Sequence, residues 1–181
     1  MKSVIIIGSG PSLCKDDVDL CVSDGRDIVS VNSSWVLSPK CKYVFSGDLN
    51  WWNHNYNKLA GYSSLWTSSF KASKIYSLNY MVCEAFLTNS GAKAIDFAVK
   101  IGYEHIVLLG FDCELSERGD THWHGDHPAG LGNPTIDSFN KWKLQFRELR
   151  IKTPSVEIVN CSRSSSIDAF PRSPLSQCLI S

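Results

Sequence analysis

Apolar residues in this chain come in short, strand-length runs separated by longer stretches where they recur at helical spacing. Val4-Ile5-Ile6-Ile7 is a β-branched run that stops in Gly8-Ser9-Gly10-Pro11-Ser12-Leu13, which reads as a first strand and a tight turn. Residues 15–22 then suit a short helix, 27–32 a strand and 43–46 another. Residues 49–80 are aromatic-rich, with Trp51, Trp52, Tyr56, Tyr62, Trp66, Phe70, Tyr76 and Tyr80, and their periodicity is weak. Within them, Leu65-Trp66-Thr67 and Ile75-Tyr76-Ser77 have the composition of short strands. Ala94, Ile95, Ala98 and Val99 mark a helix over 92–101 that Gly102 is placed to end. Residues 105–112 form a buried central strand, Ile136, Phe139, Trp142, Phe146 and Leu149 give 135–150 an apolar helical stripe, and 156–160 close the pattern as a strand. The alternation predicts an α/β fold: a Rossmann-like three-layer sandwich with a mostly parallel sheet, one domain over residues 1–181.

In such sheets ligands sit at the carboxyl ends of the strands, so Gly8, Asn32, Gly47 and Asp48 are expected to converge on one crevice. Gly8 and Gly10 permit close approach of a ligand to the main chain, and Ser12 adds a hydroxyl at the start of the next helix, the pattern of a phosphate-binding turn. The same glycines also serve a tight strand-to-helix turn that holds no ligand. A dinucleotide fingerprint is disfavoured, because Leu13 stands where its last glycine belongs and the second strand ends in Asn32 rather than an acid. A Gly-Lys-Ser/Thr triphosphate loop is absent from the sequence. Asn89-Ser90-Gly91 precede a helix and offer backbone amides to an anion, while Gly110-Phe111-Asp112 end the central strand with an acid suited to a sugar hydroxyl, a metal or a turn cap. Trp51 and Trp52 either line a pocket or belong to the core and a subunit interface. Residues 161–166 place hydroxyls and Arg163 at another strand end.

Composition narrows the class. The 181 residues are 43% hydrophobic, enough for a sizeable core, and formal net charge is zero, which gives no support to a nucleic-acid or membrane surface. Seven cysteines without a Cys-x-x-Cys pair suit a reducing compartment. No run has membrane-spanning length and the start lacks a leader pattern, so the expected location is the cytoplasm.

The second chemical signal is Thr121-His122-Trp123-His124-Gly125-Asp126-His127, inside a loop over 113–134 that is longer than a structural connection needs and reads as a lid or catalytic loop. The string matches the metal-binding segment of the metallo-β-lactamase fold, but His127 is the last histidine in the chain and a βαβ pattern precedes it, so the context rejects that fold. Two readings stay open. A histidine serves as general base for an acceptor hydroxyl without any metal, or His122, His124, Asp126 and His127 hold zinc or manganese. The metal-free reading is the expectation, with each histidine also compatible with a structural role.

Three blocks carry a family resemblance: 4–13 with its Gly-x-Gly-Pro-Ser-Leu turn; Ser90-Gly91, Ile101-Gly102-Tyr103 and Gly110-Phe111-Asp112; and the histidine block leading into the long helix. On them the chain resembles the bacterial lipooligosaccharide sialyltransferases with a compact CMP-sugar-binding domain, and their phage and prophage relatives, including hydroxymethylpterin-pyrophosphokinase-like proteins. The resemblance implies a nucleotide-sugar glycosyltransferase, a CMP-sugar donor, inverting transfer, a histidine base and no required metal. By position it assigns Gly8, Gly10, Ser12 and Asn32 to the nucleotide, Asn89 and Ser90 to its phosphate or sugar, and Gly110, Phe111 and Asp112 to the cytidine side; Ser9, Pro11, Asp48 and Gly91 beside them complete the expected nucleotide site. The family's catalytic histidine lies in a His-x-x-Gly-His arrangement; here Asp126 is inserted, which favours His127 and leaves His124 and His122 open. The arginine that the family places before its Thr-Ser pair is Leu87. The alternatives are a metal-dependent phosphotransferase of the pyrophosphokinase kind and a non-catalytic nucleotide-binding protein. Expected partners are a nucleotide-sugar and a hydroxyl acceptor, with a homo-oligomer compatible with the aromatic segment.

Overall fold

The computed structural model describes residues 1–62, 64–128 and 130–179; Ser63 of the aromatic segment, Ala129 of the histidine loop and the last two residues lie outside the described residues. Strands β1 (Ser3–Ile7), β2 (Asp27–Val31), β3 (Tyr43–Phe45), β4 (Leu65–Thr67), β5 (Asn79–Tyr80), β6 (His105–Leu109) and β7 (Glu157–Asn160) form one sheet in the order 5-4-3-2-1-6-7. Every pairing is parallel. Helices α1 (Lys15–Asp24), α2 (Leu49–Asn55), α3 (Phe70–Tyr76), α4 (Ser90–Lys100), α5 (Ile136–Lys152) and α6 (Leu175–Cys178) supply the connections and flanks. None of the described helices is long and apolar enough to cross a membrane.

The continuous apolar run of β1 follows from its central place. Val4 and Ile6 join Ile95, Phe97, Phe146 and Leu149 of α4 and α5 in one core, while Ile5 and Ile7 join Val18, Cys21, Trp51 and Trp52 of α1 and α2 in the other. A strand covered on both faces has no polar side to alternate with. Local signals fix the helix ends. Asn89 Oδ1 accepts from Ala92 N at 2.7 Å to start α4, Gly102 at φ 89° closes its far end, and Thr135 and Ser138 form a capping box at the start of α5.

Four expectations are corrected. Ile75 and Tyr76 are the last turn of α3, not a strand: Ser69 caps the helix through Ala72 N, and Ser77 leaves it in the left-handed region at φ 52°. The strand is displaced to Asn79–Tyr80, whose register places Tyr80 beside Thr67. β2 stops at Val31, because Asn32 is left-handed at φ 51° and opens a single 3-10 turn. β6 stops at Leu109, since Gly110 at φ 71° turns the chain away. On α5, Phe139, Phe146 and Leu149 are buried as expected, but Ile136, in the first turn beyond the sheet, is 67% exposed.

Candidate functional site

The sheet order makes β1 and β6 neighbours whose chains leave in opposite directions, the topological switch point at which parallel α/β sheets open a crevice. A cavity of about 560 Å³ lies there. It is lined by Gly8, Ser9, Gly10 and Pro11 after β1, Asn32 after β2, Gly47 and Asp48 after β3, Asn89, Ser90 and Gly91 at the start of α4, and Gly110, Phe111 and Asp112 after β6. His122 and His127 of the long loop face it, and Trp51 contributes from α2. The strand-end convergence expected from sequence is therefore present. Ser12, His124 and Asp126 are outside the lining, and Trp52 is wholly buried with Nε1 donating to Ser46 O.

The glycine turn is built against β6 rather than left open. Gly8 N–H donates to Leu109 O at 2.7 Å and Gly10 N–H to Gly110 O at 2.8 Å. Ser12 gives its N–H and its hydroxyl to the Asp112 carboxylate at 2.6 and 2.9 Å. A Cβ at Gly8 would stand 2.6 Å from Gly110 O, and one at Gly10 would stand 2.4 Å from the Asp112 carboxyl carbon. The glycines are thus required by the approach of two turns to each other. Pro11 has no N–H, so Ser9 holds the one turn amide, from 8 to 12, without an intramolecular partner among the described residues. Ser12, expected as a ligand hydroxyl, donates its proton to Asp112 and lies outside the cavity lining.

Anion-binding capacity lies instead at α4. Its first-turn amides carry the positive end of the helix, and Ser90 and Gly91 border the crevice. Ser90 Oγ also accepts from Gly47 N at 3.1 Å, which locks the ends of β3 and α4 together. Sequence reasoning missed Gln145, a buried polar residue on the apolar side of α5: its Oε1 accepts from Thr88 N at 3.0 Å, and its Nε2 donates to Thr88 Oγ1 at 3.0 Å. Gln145 thereby holds the segment that caps α4. The signal was a lone glutamine among Trp142, Phe146 and Leu149. Phe139, Trp142 and Phe146, from the apolar stripe of α5, form an apolar wall of the crevice.

Asn32 shows another departure. It is held left-handed, and its Oδ1 is buried without a hydrogen-bond partner among the described residues. That oxygen leaves an open acceptor in the crevice wall.

The histidine loop folds onto the turn. Trp123 N–H donates to Ser9 O, and His122 Nδ1 lies 3.3 Å from the same oxygen. Gly125, at φ 80°, reverses the chain so that the rings of His122 and His127 come to 4.4 Å, while those of His122 and His124, both before that turn, stack at 5.2 Å. Asp126 points elsewhere and accepts from Thr121 Oγ1 at 3.1 Å. Burial, helped by the neighbouring rings, pushes His122 down to about 4; burial also lowers His124 and His127, with Asp48 and Asp126 opposing it at His127. All three are neutral at pH 7. Burial raises Asp112 to about 6 against the lowering effect of the Ser12 bonds. Asp48, Asp112 and Glu114 line the cavity, and among the described lining residues there is no Lys or Arg.

No family model and no curated protein matches this sequence. Among solved structures the chain is similar to the MAf glycosyltransferase from Magnetospirillum magneticum AMB-1, at TM-score 0.61 and 15% identity over 97% of this chain and 34% of that one. A nucleoside-diphosphate-sugar epimerase from Pseudomonas aeruginosa aligns at TM-score 0.34 and 16% identity over 88% of this chain and 51% of that one, too low to bear on the site. The likeness to the first is one of fold, and this chain spans about a third of that protein's length.

Proposed function

We propose that the protein is a glycosyltransferase that moves a sugar from a nucleotide-sugar donor, a CMP-linked sugar first, to a hydroxyl acceptor. The observation that carries the reading is the switch-point crevice, with the start of α4 on one wall and neutral histidines on another. The fold-level likeness to a MAf glycosyltransferase supports the same class. Lining charge favours the CMP donor: with three carboxylates in the lining and Lys93 alone at its Gly47 edge among the described contacts there, the crevice suits a single phosphodiester charge better than a diphosphate.

In this reading the donor phosphate sits at the Ser90 and Gly91 amides, and Asn32 bonds the ribose or base. His127 is the base, because it faces the crevice, unlike His124, and is not held against Ser9, unlike His122. It takes the acceptor proton as the acceptor oxygen bonds to the anomeric carbon; the bond from that carbon to the phosphate oxygen breaks, and CMP leaves with the electron pair. Direct displacement inverts the anomeric configuration. Holding both substrates in line supplies much of the rate.

The phosphotransferase alternative draws on the clustering of the three histidines. Calorimetric titration of metal-stripped protein with CMP, CDP, UDP, GDP and ATP, repeated with manganese, separates the two. Selective CMP binding without metal is expected. ATP binding that requires metal would move the assignment to phosphoryl transfer, and no nucleotide binding would refute both.

A further inference from the structure

We propose that His122, His124 and His127 together form a site for one divalent transition-metal ion of the zinc class, and that its occupancy withdraws His127 from proton transfer. The metal half stands on the loop alone; the inhibitory half rests on the glycosyltransferase reading.

One ligand nitrogen from each of the three rings lies within 4.8 Å of the other two. Three imidazole nitrogens around a tetrahedral ion at a metal–nitrogen distance of about 2.0–2.1 Å stand about 3.3 Å apart. Closing the difference takes small side-chain rotations in a loop whose Gly125 already brings His127 back over His122. The nitrogens are also prepared. The Ser9 carbonyl can only accept, so its contact with His122 Nδ1 places the ring proton there and leaves the Nε2 lone pair free. His122 Nε2 and His124 Nε2 are both buried and have no hydrogen-bond partner among the described residues. Two orphaned ring nitrogens beside a third imidazole carry a desolvation cost that a metal ion removes.

The donor set defines the ion. Imidazole alone suits zinc, cobalt, nickel or copper rather than magnesium or calcium. Asp126, with its carboxylate turned to Thr121, is not among the three. Three protein ligands leave a fourth position, which faces the crevice because His122 and His127 line it. A ring nitrogen that holds the ion has no lone pair for the acceptor proton, so a loaded site and a His127 base are mutually exclusive.

The test is a titration of the metal-stripped full chain with cobalt(II), followed by visible absorption. One equivalent, with ligand-field bands of low coordination number, no thiolate-to-cobalt charge-transfer band, and displacement by zinc, is expected. His124→Ala should weaken binding by more than the ~10–100-fold that loss of an outer-shell partner costs, while keeping the native circular dichroism spectrum and CMP affinity, since His124 is outside the crevice lining. Absence of binding at millimolar cobalt, a thiolate band from the seven cysteines, or unchanged affinity in His124→Ala would each overturn the metal site. If cobalt binds but CMP does not, the site stands and the glycosyltransferase reading falls; if CMP binds but cobalt does not, the reverse holds. Zinc loading that creates affinity for ATP would make the ion a cofactor and overturn the inhibitory half.

Discussion

Asp112→Asn tests the account of the turn most directly. Asp112 is 1% exposed, and its carboxylate is the acceptor that fixes Ser12. Burial moves it from the ordinary 3.8 to about 6 in the folded protein. A raised folded value means that the native state binds the proton more tightly than the unfolded chain. The stabilisation from protonated Asp112 is complete below pH 3.8 and is lost as pH rises through 6. At about 1.36 kcal/mol per unit, the cost of carrying the charge at pH 7 is on the order of 3 kcal/mol. The amide has the same shape and no charge, keeps an acceptor for Ser12 N–H and offers a donor to Ser12 Oγ, so the rearranged bonding costs about 1 kcal/mol or less. Urea unfolding of both proteins from pH 4 to 8, at constant slope against denaturant, reads the difference. The histidines are common to both and cancel. The variant should gain about 2 kcal/mol on wild type between pH 4 and 7, most of it by pH 6. A difference that stays flat across that range would refute the buried, charge-bearing Asp112 and with it the coupling of the two turns.

Gly10→Ala would place a methyl 2.4 Å from the Asp112 carboxyl carbon and 2.8 Å from Gly110 O; a loss of at least ~1–3 kcal/mol in the same urea assay is expected, and a neutral result would show that the turns do not touch. His127→Asn should lower the transfer rate by about 10²–10⁴ while calorimetric CMP affinity holds; equal losses in both would make His127 a binding group instead. The stability of wild type has an acid limb of its own. His122 is held neutral to about 4 against an ordinary 6.5, so the unfolded chain binds its proton first and stability falls as pH drops from 6.5 through 4, by up to about 3 kcal/mol. His122→Asn should make that limb shallower, His124 and His127 supplying the rest, and a variant with the wild-type slope would remove His122 as a source.

The parts of the fold that were legible in the sequence are those where one local rule sufficed. The run from Val4 to Ile7 could only be a strand covered on both faces, and Asn89 with Gly102 bracket α4 by capping chemistry. Ile75 and Tyr76 misled because a short β-branched and aromatic run is compatible with either period, and the decision lay in the Ser69 cap and in the pairing of Thr67 with Tyr80. The crevice was legible through its strand ends. The role of Gly8 and Gly10 was not, because a glycine demanded by a neighbouring turn and one demanded by a phosphate look the same in one dimension. Gln145 acts through Thr88, 57 residues away, and no local pattern announces that partner. Spacing also placed Asp126 among the histidines, whereas the Gly125 turn gathers the rings and sends the carboxylate to Thr121.

Those corrections bear on which donor the crevice accepts. In the proposed glycosyltransferase reading, positive potential comes from the start of α4, worth about 0.3–1 kcal/mol to an anion in its first turn and up to ~2 when partly buried, and from Lys93 of the same helix, whose ammonium lies beside Gly47 at the crevice edge. Against it stand Asp48, Asp112 and Glu114. Like-charge repulsion grows with each phosphate charge placed near those carboxylates and is screened according to the local dielectric. In this reading a diphosphate donor therefore leans more heavily on Lys93 or on an added cation than a CMP-linked sugar does. Binding of UDP to the metal-stripped protein as tight as that of CMP would break this electrostatic argument, whichever sugar is transferred.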